Sequence, residues 1–394
     1  MRIPYLMSNV VNGYLGFIKM ARETVSDIMQ KVFADSKFKC LPYDKRSIDI
    51  DPSLEYAHND LNIKGEIFEN PRIAAIRDVP RAHFSDTTPS LIRYFMDGSR
   101  RVFRFSDVIL DDGRYYPVLA GQTGVAVLRR NDDGAFSPMH PYSGWENVLV
   151  LPDTIAGPDQ DDIKTALKSD DRFPFVVVDY ETGKSGGNQS EDYITAATKK
   201  VLDRMHDAEV QAVTQMMKDC VLGDGSMLAI DGSLQFRRDV LKRNAFQVNQ
   251  LVNVIGISKS FTPSQPVHGM KAGKHLGTIL QELEFGQRTP VFKAGHGEFV
   301  GVLGVWYLRI RRRSQMTSPL AGVLKIEAIA NGPEQENGLD GDRVDSLSAV
   351  ILSERNVAPY GPDERWTNHL YPVYLTESYL KSRFLSDVHF KGLL

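Results

Sequence analysis

Cysteine is nearly missing from this chain. Its 394 residues hold two, Cys40 and Cys220, in no metal-like spacing, which excludes a disulfide scaffold and a zinc finger or ribbon and makes a reducing, cytoplasmic setting the expectation. Long hydrophobic runs are absent too: apolar stretches stay under about ten residues, short of a membrane span. The opening string MRIPYLMSNVVNGYLGF has neither a basic segment nor a continuous apolar one, so no signal peptide is expected. No charge sign dominates. Lys and Arg number 47 against 50 Asp and Glu, a net charge of −3, which argues against coating nucleic acid through bulk charge but leaves room for a local basic groove. There is no GxxxxGK[ST] string, so ATP-driven movement would have to come from a partner. Without GxSxG or HExxH, serine hydrolases and zincins drop out as well.

At 42% hydrophobic and 25% charged residues, the chain has the composition of a globular protein that buries a full core. Residues 17–34 space Ile18, Ala21, Val25, Ile28, Met29 and Val32 as an amphipathic helix. Residues 35–90 show no clean period, so 1–90 reads as an N-terminal extension with a docking role. From Leu91, LIRYFMD, RVFRFSDVIL and RYYPVLAGQTGVAVLRR predict three successive antiparallel strands. Residues 131–190 begin and end in loop chemistry and read as an insertion. Residues 191–220, with Ile194, Ala197, Val201, Met205, Ala208, Ala212 and Met216 in register and no Gly or Pro, predict a long helix. Beyond it come a strand (MLAID), a helix (SLQFRRDVLKRNAF), a strand (LVNVIGISKS), a helix (KHLGTILQELEF), two paired strands (EFVGVLGVWYLRIRRR, LAGVLKIEAIA) and two helices (VDSLSAVILSERN, YPVYLTESYLKSRFLSD). The segment 331–343 reads as an acidic surface loop.

Twice a hydrophobic strand runs into the same tripeptide, at Asp97-Gly98-Ser99 and Asp231-Gly232-Ser233. Asp-Gly is also a common tight turn. The order of elements gives the repeat a second meaning: a strand with an acid, two antiparallel strands, a long helix, a strand with an acid, then helix and strand. That is the ribonuclease H-like plan, a mixed α/β sheet flanked by helices, in which acids on the first strand, the helix and the fourth strand converge because a divalent metal on a scissile phosphate needs hard oxygen ligands. The helix should then offer an inward acid. Glu209, four residues after Met205 and seven before Met216, shares the stripe facing the sheet, whereas Asp203 and Asp207 point elsewhere.

The strings YFMDGSRR, LAIDGSL, VIGISKS, WYLRI with LKIEAIA, and RWTNHLYPVYLTESYLKS, spread over residues 90–385, resemble the motifs of the NurA family, nucleases that act with the HerA hexameric ATPase in DNA end processing. The resemblance implies a ribonuclease H-like domain over 91–394, a homodimer, and Mn2+- or Mg2+-dependent cleavage of single-stranded DNA and duplex ends in repair or defence. It puts Asp97 and Asp231 in the place of the strand acids and His369, in TNHLYP, in that of the C-terminal histidine, a metal ligand or proton relay. The family's helix acid should stand nearer the second tripeptide than Glu209 does, yet the nearer Gln211, Thr214 and Gln215 are not acids.

Several basic residues suit phosphate contact. Arg100, Arg101 and Arg104 follow the first tripeptide, and Lys259 ends a strand. Arg309, Arg311 and Arg313 alternate onto one strand face beside Trp306 and Tyr307, which fits strand tracking and also fits an edge strand protected by charge. Glu327 reads as an ion-pair partner for those arginines. His268 and His275 lie in a Gly- and Lys-rich loop. Beside the nuclease stands an alternative, a DNA-binding scaffold subunit of a HerA-like complex that has lost its metal site, and a weaker third, a nuclease directed at RNA.

Overall fold

The computed structural model describes residues 23–48, 63–80, 90–111, 113–155, 157–168, 175–183, 189–223, 225–234, 248–264, 275–294, 302–316, 318–354 and 367–394, together with Lys242. Most of the helix expected at 233–246, residues 1–22, and His268 lie outside the described residues. Strands β1 (Phe38–Ile48), β2 (Ile63–Ile67), β3 (Glu69–Asn70), β4 (Arg77–Asp78), β5 (Ile92–Leu110), β6 (Tyr115–Arg130), β7 (Phe136–Pro138), β8 (Gly144–Pro152) and β9 (Phe175–Tyr180) come before the long helix. After it come β10 (Met227–Asp231), β11 (Val254–Ser258), β12 (Gln287–Arg288), β13 (Phe292–Ala294), β14 (Leu303–Arg309), β15 (Val323–Ile329) and β16 (Leu339–Asp340). Among the described residues, the helices of seven or more residues are α1 (Val25–Val32), α2 (Pro158–Lys168), α3 (Gln189–Lys218), α4 (Leu276–Glu282), α5 (Gly341–Ser353), α6 (Tyr371–Arg383) and α7 (Asp387–Leu393).

One mixed sheet runs in the order β2-β13-β14-β15-β11-β10-β5-β6-β8-β9. Its centre has β5, β6 and β8 antiparallel, β10 parallel to β5, and β11 parallel to β10. The first two expected strands are one. Residue pairing runs unbroken from Asp97 opposite Ala126 through Ser99 opposite Gly124, so Asp97-Gly98-Ser99 is mid-strand. The second tripeptide does end its strand, and Gly232 takes the positive φ of 130° that favours glycine. Within the segment 131–190, β8 pairs antiparallel with β6 and β9 pairs parallel with β8, so both strands join the main sheet.

The long helix forms as expected, and the two faces of the sheet carry separate cores. Tyr94 and Met96 of β5 pack with Val210, Val213 and Met216 of α3 on one face, and Phe95 packs with Val344 and Leu347 of α5 and Val373 of α6 on the other. Each such burial contributes about 1.5–3 kcal/mol. The predicted N-terminal amphipathic helix is present over Val25–Val32, capped by Thr24, and its apolar side is core: Val25 and Met29 pack with Phe103, Phe105 and Phe390. Its first-turn Ser26 donates a hydrogen bond to the carbonyl of Leu394.

β6 covers one edge of β5 along nearly its whole length. The other edge is shared, with β10 taking Ile92–Met96 and β1 taking Val102–Leu110. Among the described residues no strand covers that edge from Asp97 to Arg101. The sheet therefore has a notch, and it opens where β10 ends at Asp231.

Candidate functional site

Side chains alternate along β5, so Asp97 follows Phe95 onto the face covered by α6, and Gly98 follows Met96 onto the face covered by α3. Asp231 leaves the end of β10 on the same side as Asp97. Here α6 contributes Glu377: Val373, Glu377 and Leu380 fall at i, i+4 and i+7, which turns the acid inward with two buried neighbours. Carboxylate oxygens of Asp97, Asp231 and Glu377 all lie within 4.8 Å of one another. Asp97 is only 5% exposed.

Two cationic or basic groups complete the cluster. The Lys259 ammonium, one residue beyond β11, lies 2.7 Å from Asp231 Oδ2, 3.9 Å from Glu377 Oε2 and 3.1 Å from His369 Nε2. His369 Nε2 is 3.8 Å from Glu377 Oε2, and Lys381, one turn along α6, holds Glu377 Oε1 at 2.5 Å. The loop that delivers His369 is fastened by its neighbours. Asn368 donates to the Lys259 carbonyl at 2.8 Å and accepts from the Gly322 amide at 2.6 Å, and Arg311 donates to the Thr367 carbonyl at 2.6 Å.

Burial and the neighbouring Asp231 push the Asp97 carboxyl well above the usual range, against a smaller opposing pull from Lys259. Burial alone would depress Lys259, yet Asp231, Asp97 and Glu377 together hold its ammonium above the ordinary lysine value. Burial would raise Glu377, but Lys259, Lys381 and His369 outweigh it and keep that carboxyl low. Crowded carboxylates whose protonation is set by one another suit a hard divalent cation, which takes oxygen ligands and relieves the repulsion.

Of the residues singled out from sequence, Asp97, Asp231, Lys259 and His369 meet. Glu209 does not join that group. It is buried on the sheet-facing side of α3 as expected, but its carboxylate packs against the α-carbon of Gly98, where a β-carbon would collide with Oε1. It thus approaches β5 from the face opposite Asp97, and Glu377 takes the third place. Glu377, like Glu209, is an acid on a buried helical stripe, beside Val373 and Leu380, and its periodicity is the signal in the sequence that marks it.

The arginine stripe is not formed. β14 ends at Arg309, which is fully buried and donates to the carbonyls of Ala321, Leu280 and Pro319, so it cannot meet a phosphate. Trp306 and Tyr307 are core residues. Arg311 fastens the His369 loop, and Arg313, in a 3-10 turn, donates to the Leu283 carbonyl and lies 3.3 Å from Glu284. Glu327 pairs with Lys325 at 2.8 Å rather than with an arginine. Arg101 is clasped by Asp387 and Gln122 and stacked among Phe103, Phe384 and Phe390, and Arg100 lies against Met205 of α3. Arg104 pairs with Asp107. None of the described helices is long and apolar enough to cross a membrane. No family model matches the chain, and no curated protein matches it.

Proposed function

We propose that the chain is a divalent-metal-dependent deoxyribonuclease of ribonuclease H-like plan, resembling NurA nucleases and working as a homodimer with a HerA-like ATPase. One observation carries the reading: Asp97, Asp231 and Glu377 converge at the notch in β5, together with a lysine and a histidine. The strand order around β5 supports the plan, since two antiparallel neighbours lie on one side and two parallel strands on the other.

In this reading Asp97, Asp231 and Glu377 would hold Mn2+ or Mg2+, which when bound would supply Lewis-acid polarisation of the scissile phosphate and a more acidic water. Asp97, whose carboxyl burial and Asp231 push up, would serve such an ion in its ionised form. Lys259 moves from Asp231 toward the phosphate oxygens it is placed to neutralise. His369, held beside Lys259 and Glu377, is positioned to relay a proton to the leaving oxygen. Glu209 packs against Gly98 on the other face of β5.

The contact between Lys259 and Asp231 favours a second reading, in which an internal cation has replaced the metal and the chain is a DNA-binding scaffold. Cleavage assays separate them. Labelled single-stranded DNA, duplex DNA and RNA are incubated with the full chain in Mn2+ or in EDTA. The nuclease reading expects DNA cleavage in Mn2+ only; binding without cleavage supports the scaffold, and faster RNA cleavage overturns the substrate assignment.

A further inference from the structure

We infer that Glu327 is a positioning residue for Asp231, setting the metal affinity of the cluster without touching the metal. The inference rests on the nuclease reading. Glu327, in β15, is fully buried and stands opposite Gly256 of β11. It lies on the sheet face away from Asp97, next to the turn that follows Asp231. Its carboxylate accepts from Ser233 Oγ at 2.8 and 3.0 Å and from the Leu234 amide at 2.8 Å.

The rest of that turn is held just as closely. Gly232 donates its amide to the Ile257 carbonyl at 2.9 Å. Its φ of 130° is a backbone conformation that a residue with a β-carbon adopts only under strain. Across from it, Gly256 allows the close approach: a β-carbon there would lie 2.8 Å from the Gly232 carbonyl oxygen and 3.1 Å from the Leu234 amide. Three consecutive residues after Asp231 are thus fixed to two neighbouring strands, and the direction in which Asp231 leaves β10 is fixed with them.

A buried carboxylate is a costly way to satisfy one hydroxyl and one amide, which a neutral acceptor could serve. Glu327 offsets the cost through Lys325. What the charged acceptor adds is stronger hydrogen bonds, and so a stiffer turn. Ligand direction set by hydrogen bonds behind the ligand alters metal affinity on the order of 10–100-fold. The second Asp-Gly-Ser then has a physical reason for each letter: Asp for the cation, Gly for the positive φ, and Ser for Glu327.

The test is calorimetric titration of Mn2+ into the full chain, beside thermal melts, for wild type, Ser233→Ala, Glu327→Gln and a remote comparator, Asp345→Asn, which loses the ion pair with buried Arg288. Ser233→Ala and Glu327→Gln are expected to weaken Mn2+ binding on the order of tenfold, while Asp345→Asn lowers Tm and leaves the affinity unchanged. Should Glu327→Gln fail to fold, Ser233→Ala decides, because it removes one hydrogen bond of about 1 kcal/mol. Wild-type affinity in folded Ser233→Ala overturns the inference. A wild type that binds no Mn2+ overturns the metal site itself, and the inference with it.

Discussion

The ammonium nitrogen of Lys259 stands 2.7 Å from Oδ2 of Asp231, beside the carboxylates that the nuclease reading gives to a divalent ion. The lysine and the ion thus share one counter-charge. Two unit charges about 4 Å apart at an effective dielectric of about 20 interact by about 4 kcal/mol, a ceiling of about a thousandfold in affinity, so in the nuclease reading removing Lys259 should tighten Mn2+ binding at pH 8 by at least about tenfold. Lys259→Met should at the same time lower cleavage, since the cation facing the phosphate is gone. Calorimetry and rate measurements on the same preparation check the opposite signs; weaker binding would mean that the lysine supports the site rather than competing for it.

Asp97 gives the pH dependence. Its folded carboxyl titrates above its unfolded value, through burial first and Asp231 second. The stability it contributes to the metal-free protein is fully present below an unfolded value of about 3.9 and is lost as pH rises through the raised folded value. Metal-free wild type should therefore melt lower at pH 8 than at pH 5 relative to Asp97→Asn, whose neutral amide carries no such loss. Mn2+ binding should also release protons, so the calorimetric heat should vary with the ionisation enthalpy of the buffer. Equal heats across buffers would mean that Asp97 is already ionised.

Arg309 tests the reassignment of the basic residues. Replacing it with Met leaves the carbonyls of Ala321, Leu280 and Pro319 without their donor, and the expected cost is about 2–3 kcal/mol of stability. The KM for DNA of the folded fraction should not change. A raised KM with unchanged Tm would restore Arg309 to the DNA-binding face.

Gly98 and Glu209 should be energetically coupled. A β-carbon at position 98 meets the Glu209 carboxylate and Met205 Cγ, so Gly98→Ala should cost about 1–3 kcal/mol through overpacking. In a Glu209→Ala background most of that cost should vanish. A double-mutant cycle in urea measures the difference, and additive effects would show that the two residues do not touch.

What the sequence revealed follows from how local each signal is. The long helix, β6, β10 and β11 could be read because their periodicity needs no tertiary information. The merging of two predicted strands into β5 could not, since Asp-Gly serves equally as a turn and as a strand interior, and only pairing with Ala126 and Val125 decides between them. Asp97 and Asp231 were legible as a repeated tripeptide, and His369 and Lys259 as motif residues. Glu377 was concealed in an ordinary helical string. Glu209 was placed on the right stripe of its helix, but a stripe says that an acid faces the sheet without saying which face of the sheet carries the site. The predicted alternation of Arg309, Arg311 and Arg313 does not form for a related reason, since the strand ends at Arg309 and strand length is not written in a period of two.

The most direct test of the metal centre is anomalous diffraction from crystals soaked in Mn2+, with Asp231→Asn treated identically and the cleavage of both measured in solution. An anomalous peak bounded by Asp97, Asp231 and Glu377 is expected in the wild type, and neither peak nor cleavage in Asp231→Asn. Cleavage by the wild type without manganese at these residues, or undiminished cleavage by Asp231→Asn, would contradict the metal centre.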